Sequence, residues 1–140
     1  MATRSTIALE FADGTVQQVY CHWDGYLDHN GKILFEHYKD PFKLRDLIDL
    51  GDISSLAPSI DKPKGHSFDK SVDGYTVFYA RDRGEELRVN KFRDFEDYKA
   101  NHQYEEYEYI LRTDGNWYVS KHDGPYKLLA AALETVKEEA

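Results

Sequence analysis

The sequence predicts an α+β fold: a largely antiparallel β-sheet built from hairpins and packed with three to four short helices. Two Asp-Gly pairs, at 13–14 and 114–115, each lie between segments with alternating apolar residues, as in β-hairpins. The helical segments are grouped between strands rather than alternating with them one by one, which argues against a doubly wound fold. A chain of 140 residues is long enough for one core, so we expect a single globular domain over 1–140.

The first hairpin turns at its Asp-Gly pair. A two-residue turn would place the apolar residues of its two strands on opposite faces. A three-residue turn over 12–14 pairs Leu9 with Gln17, gives the glycine the position that needs a positive φ, and brings both apolar sets onto one face. We predict this second arrangement, in which Cys21 and Trp23 point into the core. The opposite face then carries Tyr20, His22 and Asp24.

Two short helices are expected after this hairpin. Residues 30–38 carry apolar side chains at helical spacing. The second helix is predicted to begin with Asp40 as N-cap and Pro41 at its first position, and to end at Gly51. Its buried stripe consists of Leu44, Leu47 and Ile48.

The middle of the chain is predicted to be less regular. Residues 57–72 contain prolines, serines and a glycine without periodicity, so we expect a long loop of the kind that is either functional or mobile. A strand is predicted at 75–80, a weaker one at 87–92, and a short helix capped by aspartate over 94–100. A last helix, opened by its proline, is predicted over 125–138.

The second hairpin has a turn like that of the first. A three-residue turn over 113–115 aligns Leu111 with Trp117 and directs the apolar side chains of both strands to the core. Acidic and aromatic residues alternate along its first strand. This alternation predicts that Glu106 and Glu108 face solvent.

Composition excludes several classes of function. The chain has 26 acidic and 18 basic residues and a net charge of −8, which argues against binding a nucleic-acid backbone. It has no apolar run long enough to span a membrane. It has one cysteine, hence no internal disulfide, and no apolar secretory segment at its N-terminus, so we expect a cytoplasmic location. Its eleven tyrosines suit half-buried surfaces such as interfaces and ligand pockets.

The densest group of polar and aromatic residues is the run 20–26, at the predicted end of a strand. We take His22, Asp24 and Tyr26 as candidate binding residues. A Cys21–His22 nucleophile is disfavoured because neighbouring strand residues face opposite sides of the sheet, and a buried cysteine is expected instead. A small hydrolase that uses His22 and Asp24 as acid and base remains a third, less favoured interpretation.

The same region contains residue types that bind metals. They are His22, Asp24, Asp28, His29 and His37. Their spacing matches neither a zinc nor a calcium framework. The sequence therefore predicts no metal site and no other cofactor.

A second cluster consists of Arg81, Asp82 and Arg83 at the end of the strand predicted over 75–80. Two arginines at a strand end could grip a phosphate or carboxylate through planar, bidentate contacts. A solvated turn with local ion pairs of little energetic value is the alternative. If this cluster meets the run 20–26 in space, the two would form one binding site.

The motifs CHWDGY at 21–26 and RDRGE at 81–85 resemble a family of small uncharacterised proteins encoded by tailed bacteriophages and prophages. The resemblance extends over most of the chain and implies a phage protein made in a bacterial cytoplasm. The family has no established activity, so it assigns no role to individual residues. This chain departs from the family pattern at Ala80, where glycine is expected.

These observations predict a non-enzymatic protein of phage type that binds a bacterial host protein and modulates or inhibits it, with a defence component as one such target. The acidic charge suits docking on a basic partner. The alternative is a module that holds a small anionic ligand such as a nucleotide against Arg81, Arg83 and surface tyrosines. Homo-oligomerisation would then supply the remaining walls of that site.

Overall fold

The computed structural model describes residues 3–102, 105–122 and 124–139. Within them, eight strands form one open, mostly antiparallel sheet on which short helices pack, so the predicted α+β class is confirmed. The strands are β1 (Ser5–Glu10), β2 (Val16–Cys21), β3 (Ile53–Ser55), β4 (Val77–Phe78), β5 (Asn90–Phe92), β6 (Tyr107–Leu111), β7 (Trp117–Lys121) and β8 (Lys127–Leu128).

The sheet has the strand order β4-β3-β2-β1-β6-β7-β8. Strand β3 pairs with the end of β2 at Cys21, and β5 pairs with the other end of β2, at residues 16–18. The pairs β1–β6 and β2–β3 are parallel, and the other pairs are antiparallel. A π-helical turn (Leu27–Gly31) leads into the first helix. The helices are α1 (Lys32–His37), α2 (Pro41–Asp49), α3 (Tyr79–Arg83), α4 (Phe95–Asn101) and α5 (Leu129–Glu139).

Both predicted hairpin registers are confirmed. Leu9 lies opposite Gln17, and the three-residue turn is closed by a 2.8 Å hydrogen bond from the Phe11 N–H to the Thr15 carbonyl. Gly14 has the expected positive φ of 93°. The second hairpin repeats this geometry, with Leu111 opposite Trp117 and Val119 opposite Tyr109.

Alternation along the central strands divides the sheet into two buried faces. We call one the core face, because α1, α2 and α5 cover it and the main hydrophobic core lies there, around Ile7, Leu9, Val19 and Tyr109. The other is the α4 face. There the smaller cluster of Ala8, Val16, Tyr98 and Ile110 packs beneath α4.

The helix signals read from the sequence were largely correct. The Asp40 side chain accepts the Phe42 N–H at 2.9 Å as the N-cap of α2, and Asp94 accepts the Asp97 N–H at 2.8 Å as the N-cap of α4. The loop predicted over 57–72 contains one isolated bridge, at Ser59, and neither helix nor strand.

The predicted inward position of Trp23 is wrong. Strand β2 ends at Cys21, and the Trp23 side chain is 44% exposed. Successive N–H groups, those of His22 and Trp23, donate to the carbonyls of Ile53 and Ser54. In a regular parallel ladder only alternate residues bond to the same neighbour. The alternation is therefore lost at this point, and Trp23 turns outward.

The strand predicted over 75–80 is shorter than expected. Strand β4 ends at Phe78, and Tyr79 begins α3. The Asp82 carboxylate accepts the Phe78 N–H at 2.8 Å, and Gly84, with φ of 75°, ends the helix. This side-chain bond to the backbone favours a helical turn over an extended strand. The predicted strand-end cluster of Arg81, Asp82 and Arg83 therefore belongs to a helix.

The predicted exposure of Glu108 is also wrong, because α4 covers the face to which its side chain points. Its relative exposure is 1%, and its Oε1 lies 3.2 Å from His102 Nδ1. Glu106 is half-buried. Alternation correctly separated the two faces, but it did not reveal that both are covered.

The C-terminal helix begins later than predicted. Residues Lys127–Leu128 form the short strand β8 against β7, and α5 begins at Leu129 rather than at Pro125. Tyr104, predicted as the first residue of the second hairpin, lies outside the described residues. The side chain of Val136, predicted to belong to the buried stripe of the last helix, also lies outside them.

Candidate functional site

The segment 22–26, which we call the aromatic loop, is held by backbone hydrogen bonds from both sides. The N–H groups of His22 and Trp23 donate to strand β3, each at 3.0 Å. The Gly25 N–H donates to the Thr3 carbonyl at 2.8 Å. The loop therefore bridges the end of β3 and the residues that precede β1.

The carbonyls of the same loop are also bonded. Asn30, fully buried, donates its side-chain amide to the Trp23 carbonyl at 3.3 Å and its backbone N–H to the Asp24 carbonyl at 3.2 Å. The hydroxyl of Tyr109, from the centre of the sheet, donates to the Gly25 carbonyl at 2.6 Å. These contacts fix the path of the loop through buried groups.

Two residues explain why the chain turns here. Asp24 has a positive φ of 56°, a conformation that aspartate tolerates better than most residues. Gly25 lies against the backbone that precedes β1. A Cβ atom at Gly25 would lie 2.7 Å from Ser5 Cβ and 2.9 Å from the Thr3 carbonyl oxygen, so only glycine fits without a shift.

The loop exposes aromatic side chains from this fixed backbone. Trp23 is 44% exposed and Tyr26 is 40% exposed. The His22 ring meets the Trp23 ring edge-on, with 4.7 Å between centroids, and its Nδ1 lies 2.7 Å from the Tyr20 hydroxyl. The predicted binding residues His22, Asp24 and Tyr26 thus lie together beside Trp23, which the sequence analysis had assigned to the core.

Cys21 is the buried cysteine that the sequence predicted. Burial raises the pKa of its thiol to about 12, despite hydrogen bonds with Asn30 and the Trp23 carbonyl. A thiol in this environment stays protonated near neutral pH and is a poor nucleophile. Cys21 therefore lacks the accessible thiolate that a nucleophile needs.

The second predicted cluster is bonded within the protein. Arg81 donates Nε to Asp82 at 3.0 Å, Nη1 to the Ile60 carbonyl at 2.6 Å and Nη2 to the Thr76 carbonyl at 3.1 Å. The guanidinium also lies 4.7 Å above the Phe78 ring. These contacts use each nitrogen of the side chain, so Arg81 fastens the 57–72 loop to α3 rather than presenting a free anion-binding fork.

Asp82 is the centre of this cluster. Its side chain is fully buried and lies 3.7 Å from Lys62 Nζ and 3.6 Å from His66 Nε2. Burial alone would raise the pKa of Asp82, but hydrogen bonds from Arg81 and the Phe78 N–H outweigh it and hold the pKa below its ordinary value. The third predicted residue of the cluster, Arg83, is more exposed. It pairs with Glu85 at 3.3 Å.

The two predicted clusters are connected only through neighbouring residues, and none of their candidate binding residues lines the cleft between them. Tyr20 and Tyr79 line one cleft of about 410 Å³ together with Asp52, Glu85, Glu86, Arg88 and Asn90. His22 does not line this cleft and contacts it only through its hydrogen bond with Tyr20. The bonding groups of Arg81 and Asp82 are directed instead at the 57–72 loop.

Asp52 lies in the wall of that cleft. Its Oδ1 accepts the Tyr20 N–H at 3.0 Å. Burial raises the pKa of Asp52, and the Tyr20 hydrogen bond and the Arg88 charge offset this only in part. The carboxylate is therefore less favourable in the folded chain than in water.

Sequence reasoning missed a polar row on the α4 face. The strand register places Tyr20, Thr6, Glu108 and Ser120 side by side across four strands, and all but Tyr20 are fully buried. Glu108 Oε1 accepts the Glu105 N–H and contacts His102, whereas Glu108 Oε2 and Thr6 Oγ1 have no hydrogen-bond partner in the described part of the chain. The available signal was the position of Glu108, which the alternation places on the same face as Ile110 and opposite Tyr109.

A cavity of about 480 Å³ lies next to this row, between α4 and the segment 124–126. His102 lines it and connects it to Glu108. In the residues that the structure describes, no three His, Cys, Asp or Glu side chains come together in a way that could hold a metal ion. None of the helices in those parts of the chain combines the length and apolar character needed to cross a membrane.

No protein-family model matches the chain, and no curated protein or solved structure matches it. The resemblance to phage proteins therefore stays a prediction that rests on the CHWDGY and RDRGE motifs.

Proposed function

We propose that this chain is a protein-binding module that presents the aromatic loop to a partner protein. One observation carries the proposal: the backbone of 22–26 is bonded from both sides, while Trp23 and Tyr26 keep 44% and 40% of their surface exposed. Rings that belonged to the core would be buried, and rings on a flexible loop would not be held in a fixed position.

The energetics of interfaces favour this use of the loop. Tryptophan and tyrosine are enriched among the few residues that dominate binding energy at protein interfaces. A loop that is already fixed loses little conformational entropy on binding, so more of the contact energy appears as affinity. Asn30 and Tyr109, both buried, supply this fixation from the core.

The charge of the chain suggests the chemistry of the partner. The net charge is −8; Asp24 lies between the two aromatic residues in sequence, and the exposed Asp28 follows them. An apolar pocket with a basic rim on the partner would complement such a surface, because opposite potentials steer association and select against wrong partners. The phage-type motifs support a bacterial host protein, encountered in the host cytoplasm, as this partner.

The test compares three immobilised forms of the full chain in bacterial lysate. These are the wild type, Trp23→Ala/Tyr26→Ala, and Phe42→Ala, whose ring is 67% exposed outside the aromatic loop. We expect at least one host protein to be retained by the wild type and by the Phe42 control but lost with the double variant. The purified partner should then bind the double variant at least about 100-fold more weakly, as expected when two central aromatic residues are removed.

Two outcomes would contradict the proposal. One is an identical set of retained proteins for all three forms. The other is a partner whose affinity falls with Phe42→Ala and not with Trp23→Ala/Tyr26→Ala, which would place the interface elsewhere. Native mass spectrometry of the protein recovered from lysate adds an independent readout, because a host protein appears as a large added mass and a small ligand as a small one.

A further inference from the structure

A groove lies at the edge of the core face, between strands β6, β7 and β8 on one side and the first two turns of α5 on the other. We call it the edge groove. Its volume of about 360 Å³ lies within the range of small-molecule sites. It shares no residue with the aromatic loop, although Leu27, which directly follows that loop, forms one of its walls.

The register of the sheet brings two lysines to this groove. Lys121 lies opposite Tyr107, and Lys127 lies opposite Val119. Because alternate residues of a strand face the same side, all four belong to the core face. Val119 is buried, and Tyr107 packs against the main core. The two lysines thus occupy positions of the sheet whose cross-strand neighbours are apolar.

These lysines carry the only charges of the groove among its described lining residues, which include no carboxylate. In the part of the chain that the structure describes, neither ammonium group is paired with an acidic side chain. The contact of Lys121 is with the Tyr107 ring, 5.6 Å from Nζ to the ring centroid. In a chain with 26 acidic and 18 basic residues, such a local excess of cationic groups favours an anion.

The start of α5 adds to the positive potential of the groove. The helix has 11 residues and begins at Leu129, two positions after Lys127. Ala131, in its first turn, lines the groove. Because the N-terminal end of a helix carries a partial positive charge, it reinforces the preference of the two lysines for an anion.

The other walls of the groove are apolar and are held by the core. They include Leu27, Val119, Pro125 and Ala132. Val119 belongs to the main hydrophobic core, and Leu27 and Ala132 pack against it. Transfer of apolar surface out of water favours a ligand whose body covers these walls. The groove thus combines an apolar lining with two cations.

We propose that the edge groove binds a small molecule that has an apolar body and one anionic head group. The body lies against Leu27, Val119 and Pro125. The head group lies at Lys121 and Lys127. Two sources share this chemistry: alkyl carboxylates and alkyl phosphates. The site is independent of the proposed protein partner, since partner binding is assigned to the aromatic loop.

The test is titration calorimetry of the full chain with octanoate, octyl phosphate and the uncharged analogue octan-1-ol. We expect at least one of the two anions to bind with a Kd below about 1 mM, and the tighter anion identifies the head group. Octan-1-ol should bind at least about tenfold more weakly, because hydrogen bonds between an ammonium and a charged group are stronger. Equal binding of octan-1-ol, or no binding of either anion up to about 10 mM, would overturn the proposal.

Variants of the lysines locate the head group. Lys121→Gln/Lys127→Gln should weaken the tighter anion at least about tenfold. Lys64→Gln/Lys91→Gln removes two exposed lysines that do not line the groove, so it has the same net charge and should leave the affinity unchanged. Equal affinities of the two double variants would overturn the proposal.

A second pair of variants tests the position of the apolar body. Ala131 is exposed and lines the groove, whereas its exposed neighbour Ala130 does not. Ala131→Leu should weaken binding at least about fivefold, because the added side chain occupies the space of the ligand. Ala130→Leu is the control and should leave binding unchanged. Leucine is a good helix former, so both variants should fold, as checked by circular dichroism. Equal affinities of this pair would place the ligand outside the groove and overturn the proposal.

Discussion

His66 Nε2 lies 3.6 Å from Asp82 Oδ2, with both side chains fully withdrawn from solvent. His66 Nδ1 accepts the Val72 N–H at 3.0 Å, so the proton of a neutral ring is on Nε2, facing the carboxylate. The bonds from Arg81 to the Ile60 carbonyl and to Asp82 fasten the long 57–72 loop to α3, whereas His66 Nε2 lies near the carboxylate without forming a hydrogen bond in the described part of the chain. The sequence alone suggests the RDRGE motif as a candidate anion-binding site. In the structure, Arg81 and Asp82 of this motif instead hold the 57–72 loop against α3.

Asp82→Asn should destabilise the chain. The substitution removes the charge that Arg81, Lys62 and His66 share, while it keeps the shape of the side chain. Loss of one partner of a buried charged cluster costs about 2 to 4 kcal/mol, measured by urea unfolding at pH 7. Asp69→Asn, an exposed aspartate in the same loop, is the control and should change the free energy of unfolding by less than about 0.5 kcal/mol. Equal stability of both variants would show that the cluster is not structural.

The acid dependence of stability should also depend on Asp82. Its pKa is lowered in the folded chain, so its contribution is fully present above the unfolded pKa of about 4 and is lost as the pH falls through the folded value. Wild-type stability is therefore expected to decrease below about pH 4 more steeply than that of Asp82→Asn. Urea unfolding from pH 7 to pH 2.5 tests this, and parallel curves for the two proteins would contradict it.

The opposite sign is expected at Asp52. Burial raises its pKa in the folded chain, so the charged form opposes folding above that pKa, and protonation at lower pH favours the fold. Asp52→Asn keeps an acceptor for the Tyr20 N–H and removes the charge. The variant should be more stable than the wild type at pH 7, and its advantage should vanish below about pH 4. A loss of stability at pH 7 would mean that the Arg88 charge outweighs burial.

The turns and caps of this fold were readable from sequence because their causes are local. A glycine in a three-residue turn fixed the pairing of Leu9 with Gln17, and a carboxylate beside a proline fixed the start of α2. The same parity correctly grouped Cys21 with the core. Each of these features depends on residues within a few positions of one another.

The errors involve contacts that no local pattern contains. Glu108 was assigned to the correct face, but the position of α4 over that face decides its burial. Trp23 turns outward because β3, distant in sequence, accepts both its N–H and that of His22. The edge groove at Lys121 and Lys127 was missed for the same reason, since its walls come from separate elements.

Cys21 should resist alkylation in the native state. Its thiol is fully buried and its pKa is raised to about 12, so iodoacetamide at pH 7.5 finds almost no accessible thiolate. Mass spectrometry should show labelling only as fast as the chain opens. Asn30→Ala removes the amide that bonds both Cys21 and the Trp23 carbonyl, so labelling should become at least about tenfold faster. Rapid labelling of the folded wild type would contradict the burial of this residue.

Gly25→Ala should impair partner binding while Trp23 and Tyr26 are both still present. The added Cβ would lie 2.7 Å from Ser5 Cβ and 2.9 Å from the Thr3 carbonyl oxygen, so the loop has to move. Overpacking of this kind costs about 1 to 3 kcal/mol of stability, measurable by urea unfolding, and it also shifts Trp23. Binding to the partner identified by the lysate comparison should then weaken by about tenfold or more.

A double-mutant cycle separates the position of Trp23 from a general loss of stability. If Gly25→Ala acts by moving Trp23, it should weaken binding in the wild-type background but add little in a Trp23→Ala background. Both measurements are made at a temperature where all four proteins are folded by circular dichroism. Fully additive losses would mean that the glycine substitution weakens binding by another route. The fixed backbone of the aromatic loop would then not be the reason that Trp23 contributes to the affinity for the partner.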